Sequence, residues 1–427
     1  MFEFYNDWFG LLNGGGEDAG YICGMKRIKP VHQSFANILA LATLPLSGFA
    51  TDIYVPSLPG MASVMRVGSL EIQLTITLFL ISYGISQLFI GSILDSWGRY
   101  WIGLGSLVIF SFASLAIALT HDIYVIYVMR VIQGITVGAV IAGKRAYFVD
   151  LFEGDKLKSY LSLFSIIWST GPIIAPFVGG WLQTLFGWEA SFYLLALVGI
   201  GLAVLDFFFG GETLPNRSSF QLRRVVGVYG EMLRNAPFIL GISMLGLSYA
   251  MVMVYNMTGS FIVEHHLQMS VVTAGYCSLI LGFAWMVGGF ISKAMIHHHF
   301  FKKLIYNNAI QVILAFLMLL VIGAADNLYV MVIFAFLIHV CAGFTFNNYM
   351  TFCMTRFPHN AGVASGLTGG LTFLIVSGLS FGMVKVFPAK DGGHLGWSYL
   401  IFILLSTLVI LAAVRKNSPR WAIFAAK

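Results

Sequence analysis

Two charged residues lie inside apolar segments of the sequence, and their side chains have the clearest chemical potential. Arg130 stands about two turns into the apolar run that begins at Ile123, and Asp52 lies near the end of another run. A charge at that depth in a membrane is costly unless a cavity or a partner stabilises it. An arginine keeps its proton, whereas a carboxyl group binds or releases one according to its surroundings. The pair therefore predicts proton coupling, with Asp52 as the carrier and Arg130 either as its counter-charge or as a charge that orients the substrate.

Structural interpretations exist for these residues as well. Arg130 would then extend its side chain to the membrane surface, and Asp52 would be solvated at a helix end. His339 lies in the middle of an apolar segment, where it either titrates or packs in the core. Asp206 stands near the end of an apolar run, which favours an interfacial position.

The residue sets that enzymes and metalloproteins use are not found in the sequence. We find no nucleophile–base set, no phosphate-binding loop and no metal-ligand spacing, and the four cysteines read as small hydrophobic residues. The run 297–299 contains three histidines but has no companion ligands. We therefore predict no enzymatic activity, no metal site and no cofactor, with protons as the coupling ion.

The apolar segments themselves predict a membrane protein. Hydrophobic residues make up 58% of the 427 residues and charged residues only 10%, against about 25% charged residues in soluble domains. A helix needs about 20 apolar residues to cross a bilayer. Windows between charged or turn-rich breaks predict an all-α membrane protein with twelve transmembrane helices, at 35–54, 72–93, 100–119, 123–146, 160–185, 190–209, 238–263, 272–295, 304–324, 328–353, 362–384 and 399–414.

The distribution of basic residues predicts the orientation of these helices. Of the 24 Lys and Arg residues, Arg66, Lys385 and Lys390 fall on one side, Arg130 lies within a helix, and all others fall on the second side. Basic loops stay in the cytoplasm, so both termini are predicted to be cytoplasmic in a bacterial inner membrane. The net charge of +6 has the same origin and requires no nucleic-acid partner.

The longest basic connection divides the helices into two sets of six. We predict an N-terminal cytoplasmic segment at 1–33, an N-terminal half at 34–209, a cytoplasmic linker at 210–237, a C-terminal half at 238–414 and a cytoplasmic tail at 415–427. Residues 1–24 do not resemble a signal peptide, and Met25 is a possible true start. Paired six-helix halves are typical of transporters with a substrate site between the halves.

Four local motifs occur along the chain in the order expected of one transporter family. Segment 91–99 resembles motif A of the major facilitator superfamily, Arg130–Gly134 resembles motif B, and segment 171–180 resembles motif C, the antiporter motif. Segments 51–59 and 144–152 are similar to the twelve-span drug:proton antiporters of the Bcr/CflA branch. The resemblance runs over nearly the whole chain from Met25, and it implies the major facilitator fold and proton-coupled export.

The resemblance also implies roles for motif residues. Motif A implies a cytoplasmic gate in which the Arg99 side chain pairs with Asp95 or Asp150, although an ordinary loop ion pair is the alternative. We expect Gly91 and Gly98 to allow a tight turn and close helix contact. Motif C implies an exporter, and it predicts a bent helix 5 with smooth surfaces along which the halves rock. Its residues are Gly171, Pro172, Pro176, Gly179 and Gly180, with a matching stripe at Gly362, Gly366 and Gly370.

Two departures from the family pattern affect these expectations. A tyrosine, Tyr100, stands where a further basic residue is usual, so the motif A network is expected to be weaker. The middle of helix 1, at 40–45, has no acid, which leaves Asp52 as the candidate for proton coupling.

Polar and aromatic residues of the central helices are candidates for the substrate pocket, although packing or lipid-facing roles are as reasonable for each. They are Tyr83, Gln87, Gln133, Tyr249, Tyr255, Asn256, His339, Asn347 and Asn348. The combined features predict a monomeric, lipid-embedded efflux antiporter for small organic molecules. An importer of a sugar, a peptide or a siderophore-like solute is the first alternative. A non-transport membrane protein, such as an enzyme or a receptor, is the second.

Overall fold

The computed structural model of the protein describes residue 28 and residues 30–214, 222–357 and 361–415. These residues form helices and contain no β-strand. Twelve helical segments are long and apolar enough to cross a membrane, which confirms the predicted fold class. We call them spans 1 to 12: Gln33–Met65, Ser69–Trp97, Tyr100–Leu119, Ile123–Leu151, Gly154–Phe186, Glu189–Phe209, Ala236–His266, Val271–Ala294, Phe300–Ala324, Leu328–Arg356, Gly362–Val386 and Gly392–Val414.

Some predicted features lie outside the described residues. They are the possible start at Met25, residues 1–27 and 29 of the N-terminal segment, residues 215–221 of the linker and residues 416–427 of the tail.

Span 1 is a broken helix. It consists of the α-helices Gln33–Ala42, Leu46–Asp52 and Leu58–Met65, with the 3-10 turn Val55–Ser57 between the last two. Proline lacks an N–H group and is favoured where a helix begins, and Pro45, Pro56 and Pro59 each stand at such a start. The predicted helix 35–54 therefore ended too early, because these prolines mark restarts rather than the end of the span.

Several other helices extend further than predicted because charged residues occupy their last turns. Span 2 continues to Trp97 through Asp95, and span 4 continues to Leu151 through Asp150. A hydropathy window stops at such charges, whereas the backbone hydrogen bonds of a helix do not depend on them. Span 12 begins at Gly392, one full turn and more before the predicted start.

A helix that the sequence analysis did not predict lies in the linker between the halves. It covers Leu222–Leu233, just before span 7. Met232 is buried, and the Tyr229 hydroxyl donates a hydrogen bond to the carbonyl of Leu88 in span 2 at 2.6 Å. Glu231 is exposed next to the buried Met232, so one face of the helix lies against the bundle and the other carries polar residues.

The two halves, spans 1–6 and spans 7–12, meet along a few helix pairs. Span 2 packs against span 11, and span 5 packs against span 8, while contacts within each half are made by pairs such as spans 2 and 4 or spans 8 and 10. The loops after even-numbered spans lie at one end of the bundle, which we call the basic end because it carries Arg99, Lys302 and Lys303. The loops after odd-numbered spans lie at the opposite end.

Candidate functional site

Span 4 holds the Arg130 guanidinium in the protein interior. The side chain is 0% exposed. Its Nη1 atom donates hydrogen bonds to the carbonyl of Ala50 and to Oε1 of Gln133, both at 2.8 Å, and Nε donates to the carbonyl of Thr75 at 3.4 Å. The structure therefore excludes the alternative in which Arg130 extends its side chain to the membrane surface.

The break in span 1 supplies part of the surroundings of Arg130. Ala50 belongs to the last turn of the helix Leu46–Asp52, and the last four carbonyl groups of a helix have no partner in that helix. The rings of Tyr54 and Phe79 complete the environment, with centroids 4.6 Å and 4.3 Å from the guanidinium carbon. Such contacts stabilise a desolvated cation by about 2 kcal/mol. Carbonyl groups and aromatic faces thus stabilise the buried charge.

Asp52 lies at the junction of the two halves. Its side chain is 1% exposed, and Oδ1 accepts a hydrogen bond from the amide of Asn256 in span 7 at 2.9 Å. The second oxygen, Oδ2, is buried without a hydrogen-bond partner. Asp52 is therefore not a solvated residue at a helix end. In this conformation its partner is Asn256, because no ion pair within 4.0 Å joins the carboxylate to Arg130, and both residues are described.

A second bond across the same junction lies close to Asp52. The hydroxyl of Ser260 in span 7 donates to the carbonyl of Val55 in span 1 at 2.9 Å. Gln73 in span 2 also donates its side-chain amide to the carbonyl of Met257 in span 7, at 2.6 Å. These three bonds join span 7 of the C-terminal half to spans 1 and 2 of the N-terminal half.

A small cavity of about 10 Å³ lies beside Asp52 between the two halves. Ser47, Gly48 and Thr51 from span 1 line it together with Asp52. The remaining lining residues come from both halves and are largely aromatic: Phe79, Tyr83, Trp168, Pro172, Tyr249 and Phe373. Of the nine predicted pocket residues, Tyr83 and Tyr249 line this cavity, and Asn256 reaches it through its bond to Asp52.

Other predicted pocket residues do not line the cavity, because each forms bonds inside the helix bundle. Gln133 is 0% exposed and donates to Ser114 at 2.7 Å, while it accepts from Arg130. His339 is also fully buried and lies 3.0 Å from the hydroxyl of Tyr399, which is the packing role considered above. The ring of Tyr255 packs edge-on against His339.

The three remaining pocket candidates bond to backbone carbonyls instead. Asn347 and Asn348 donate to carbonyls one turn earlier in their own helix, both at 2.8 Å, and Gln87 donates to the carbonyl of Gly138 in span 4 at 3.3 Å. These bonds account for their polar groups without a ligand.

The motif A residues form an ion-pair network at the basic end. The Arg99 guanidinium binds Asp95 at 2.9 Å and also pairs with Asp150 at the end of span 4. Gly98 has a φ of 99°, a conformation that favours glycine, so it makes the tight turn that was expected. Gly91 does not make the expected close contact, because a Cβ atom there would meet no atom within 4 Å.

Glu212 is a member of this network that the sequence analysis missed. Its carboxylate accepts hydrogen bonds from the backbone N–H groups of Arg99 at 2.9 Å and Tyr100 at 3.2 Å, at the first turn of span 3. It also accepts from Thr213 and Leu214, each at 3.1 Å. A carboxylate at a helix N-terminus is favourable, so this acid reinforces the site where Tyr100 replaces a basic residue. The sequence feature that could have identified Glu212 is its position as a lone acid directly after span 6.

A buried ion pair between spans 4 and 6 was also missed. Nζ of Lys144 lies 2.7 Å from Oδ1 of Asp206, and both side chains are largely buried. Asp206 lies in the last turn of span 6, near the end that was expected, and its side chain is buried. A buried carboxylate requires a partner, and Lys144 supplies one from the neighbouring span. No sequence spacing links the two residues, because they lie on different helices.

Motif C brings span 5 against span 1. A Cβ atom on Gly171 would lie 2.6 Å from the carbonyl oxygen of Pro45, which leaves no room for a side chain. A Cβ atom on Gly179 would lie even closer to the backbone carbonyl of Ile53. The glycines of span 5 therefore pack directly against the backbone of span 1, the broken span that carries Asp52.

Motif C also brings span 5 against span 8 of the other half. A Cβ atom on Gly180 would lie 3.2 Å from the carbonyl oxygen of Val271 and 3.5 Å from the Cα atom of Gly275. Span 5 is one helix through Pro172 and Pro176. Such close backbone contact gives a smooth surface between the halves.

The glycines of span 11 form a shorter contact surface than expected. Cβ atoms on Gly366 and Gly370 would lie 2.9 Å and 2.8 Å from carbonyl oxygens of span 2, those of Gln87 and Gly84. Gly362 does not belong to this surface, since a Cβ atom there would have no neighbour within 4 Å.

Comparison with known proteins places this arrangement in a family. The family model of the Major Facilitator Superfamily matches residues 40–381. The chain is 26% identical to multidrug resistance protein D of Escherichia coli, over 91% of this chain and 96% of the relative. It is 31% identical to a bicyclomycin resistance protein homolog of Haemophilus influenzae, over 44% of this chain and 48% of the relative.

Solved structures show the same fold at low sequence identity. The xylose transporter XylE of E. coli has a TM-score of 0.69 at 12% identity, with 91% of this chain and 98% of that chain covered. The nucleoside transporter NupG has a TM-score of 0.67 at 13% identity, with 91% and 100% covered. With the twelve spans, the four motifs and the family match together, the chain belongs to the Major Facilitator Superfamily.

Proposed function

We propose that the protein is a proton-coupled efflux antiporter, which exports small organic molecules or drugs across a bacterial inner membrane by alternating access. The names of the multidrug and bicyclomycin resistance relatives support export of drugs. Motif C, through which span 5 packs against span 1 and span 8, also supports export rather than import. We further propose that the protein acts as a monomer, with both termini and the basic end in the cytoplasm. Protons are the coupling ion, and no other cofactor takes part.

The position of Asp52 is the observation that carries this proposal. The carboxyl group lines the cavity and forms a bond across the junction of the halves. A buried carboxyl group is tolerated when it is neutral, whereas an ionised one requires water or a compensating charge. The protonated form of Asp52 is thus compatible with the closed junction, and the ionised form favours a conformation in which the junction opens.

Arg130 is the positive charge that would stabilise the ionised form of Asp52. It lies in the same half as Asp52 and is bonded to the carbonyl of Ala50, two residues before the acid. When the halves move and Asn256 withdraws from Asp52, Arg130 remains in the same half as Asp52 as a buried cation. A fixed positive charge stabilises the ionised carboxylate, with a strength that depends on how much water enters.

Reconstitution into liposomes distinguishes an antiporter from the importer alternative. Proteoliposomes with an acidic lumen should accumulate labelled aromatic drugs, and addition of nigericin, which dissipates the proton gradient, should abolish the accumulation. Accumulation with an acidic exterior instead would demonstrate symport and would contradict export by proton exchange.

The variant Arg130→Ala tests the coupling step. It should lower proton-driven exchange at least about a hundredfold, a difference of roughly 3 kcal/mol between conformations, and the protein should still elute as a folded monomer in detergent. A matched control is Gln87→Ala, which removes a bond outside the cavity. Exchange by Arg130→Ala at the wild-type rate would contradict the role of Arg130.

A further inference from the structure

A larger cleft lies between the two halves at the opposite end of the bundle, and we call it the end cleft. Its volume is about 480 Å³, which is within the range of about 300–1,000 Å³ that is usual for small-molecule sites. The N-terminal half contributes the end of span 1, the turn after it and the first residue of span 2. The C-terminal half contributes Phe261 and His265 of span 7 and Ala389 of the loop before span 12. The end cleft is therefore large enough for a small organic molecule and is bounded by both halves.

The end cleft lies directly beyond a bond that joins the halves. Ser260 of span 7 donates to the carbonyl of Val55 in span 1, and the lining residues His265 and Pro59 each stand about one helical turn further along these two spans. A movement that breaks this bond also separates the two walls of the cleft. A ligand that contacts both walls thus binds the closed junction more tightly than the open one.

Each wall carries one basic side chain that has no polar partner among the residues that the structure describes. They are the exposed guanidinium of Arg66 and the imidazole of His265, whose ring packs edge-on against Phe261 with centroids 5.7 Å apart. None of the described lining residues is acidic. Glu71 is close in sequence to Arg66, but its carboxylate is turned to the start of span 2, where a Cβ atom on Gly68 would lie 2.5 Å from Oε2. The cleft therefore presents free N–H donors on both walls, and one of them belongs to a permanent cation.

The backbone at Arg66 makes an arginine unexpected there. Arg66 ends the helix Leu58–Met65 with a φ of 55°, in the left-handed conformation. Glycine is the usual residue at such a helix end, because a side chain strains this conformation. A position that favours glycine thus carries a long cationic side chain without an ion pair in the described part of the protein. Neither local backbone geometry nor a protein contact accounts for the guanidinium, which points to a ligand as its partner.

We propose that the end cleft binds a small organic oxyanion, a carboxylate or phosphate group on an apolar body, between Arg66 of one half and His265 of the other. A planar guanidinium binds such a group through two parallel hydrogen bonds. The side chains of Ala62, Val67 and Phe261 supply apolar surface for the rest of the molecule. The bound anion bridges the halves and favours the closed junction, so the junction opens only after the anion leaves. The proposal goes beyond the proposed function, since the site does not depend on proton coupling.

Binding to the purified full-length chain in detergent tests the site with two probes of similar shape. At neutral pH 2-naphthoate is an anion and 2-naphthamide is uncharged. Wild type should bind 2-naphthoate at least about tenfold more tightly than 2-naphthamide, as expected for a charge-assisted pair of hydrogen bonds. Arg66→Gly should bind the two probes equally. It should also unfold at the wild-type temperature or above, because glycine adopts the left-handed conformation without strain.

Matched variants separate the end cleft from general charge effects. Lys385→Gln removes another basic residue of the same end that does not line the cleft, and it should retain the wild-type preference. His265→Leu should lower the preference about threefold, because one charge-assisted or neutral donor is lost. Equal binding of both probes by wild type would overturn the proposal, as would a wild-type preference in Arg66→Gly. A clearly lower unfolding temperature of Arg66→Gly would also overturn it, because Arg66 would then have a structural role.

Transport in proteoliposomes tests whether the anion bridges the halves. Saturating 2-naphthoate should slow drug exchange by wild type at least about tenfold, a typical size for coupling between two sites. The inhibition should be absent from Arg66→Gly. Binding of 2-naphthoate without any effect on wild-type exchange would overturn the bridging role. A protein that performs no proton-driven exchange but prefers 2-naphthoate through Arg66 would overturn the antiporter and leave the anion site intact.

The oxyanion has two possible sources, a soluble organic acid and the headgroup of an anionic lipid. Competition with dihexanoylphosphatidylglycerol distinguishes them, with dihexanoylphosphatidylcholine as the control of equal chain length. Displacement of 2-naphthoate by the phosphatidylglycerol alone would identify a lipid headgroup as the ligand. Retention of 2-naphthoate would identify a soluble acid, and both results support an oxyanion site at Arg66.

Discussion

Replacement of Asn256 by leucine should change the conformational balance of the protein in a pH-dependent way. The Asn256 amide bonds the Asp52 carboxyl group across the junction of the halves at 2.9 Å. If Asp52 carries the coupling proton, this bond joins two neutral groups at acid pH and involves a carboxylate at alkaline pH. The cost of its removal then depends on the protonation state of Asp52.

Hydrogen-bond energies give the expected magnitude. A buried bond between neutral groups contributes about 1 kcal/mol, and a bond to a charged group contributes about 2 kcal/mol. Asn256→Leu should thus reduce the population of the closed junction about fivefold at acid pH and about thirtyfold at alkaline pH, because 1.4 kcal/mol is a factor of ten. Ser260→Ala is the matched control, since it removes a 2.9 Å bond across the same junction to a carbonyl that does not titrate.

Energy transfer between labels at the opposite end of the bundle measures this population. Val64 in span 1 and Met269 after span 7 are exposed and belong to different halves, so cysteines placed there would accept a donor and an acceptor dye. Efficiency is then recorded in nanodiscs as a function of pH. The same pH dependence in Asn256→Leu as in Ser260→Ala would refute the reasoning, because Asp52 would not change its protonation state at the junction.

Two further predictions concern other parts of the structure. Gly180→Leu should slow transport at least about tenfold by separating spans 5 and 8, because over-packing of a tight contact costs about 1–3 kcal/mol. The control Gly91→Ala should transport at the wild-type rate, because the added Cβ atom meets no atom within 4 Å. Equal rates for the two variants would contradict the role of the contact between spans 5 and 8. Burial alone would raise the pKa of Asp391, but hydrogen bonds from His394 and its charge together lower it. The lowered pKa adds stability that is present above the ordinary aspartate pKa and is lost as pH falls through the folded value. Asp391→Asn should therefore lower the thermal midpoint in detergent at neutral pH, and the difference should vanish in acid; a constant difference at all pH values would contradict this contribution.

The apolar pattern and the motifs were sufficient to predict the number of spans and the class of fold. Chain segments such as Tyr100–Leu119 carry the signal locally, because a bilayer requires about 20 apolar residues in sequence. Helix ends were less predictable. A proline at 45, 56 or 59 could mark either the end of the span or the start of its next helical segment. The local sequence is the same in both cases, and only the packing of span 1 against Arg130 and span 5 decides between them.

The candidate site was predictable only in part. Asp52 and Arg130 were identifiable because a charge in an apolar run is unusual, and Tyr83 and Tyr249 because they are aromatic residues in central spans. Residues that act through long-range contacts gave no such signal. Glu212 and Asp206 lie more than sixty positions from the groups that they bind, Arg99 and Lys144. Their roles follow from how spans 3, 4 and 6 pack together.

The central claim is that Asp52 carries the proton that is exchanged for substrate. Simultaneous recording of substrate flux and of lumenal pH in proteoliposomes tests it most directly, with a neutral aromatic substrate at saturating concentration. The account predicts that each wild-type exchange moves substrate and protons in opposite directions, and that Asp52→Asn carries substrate down its own gradient without moving protons. Accumulation of substrate against its gradient by Asp52→Asn, driven by a pH difference, would contradict the claim.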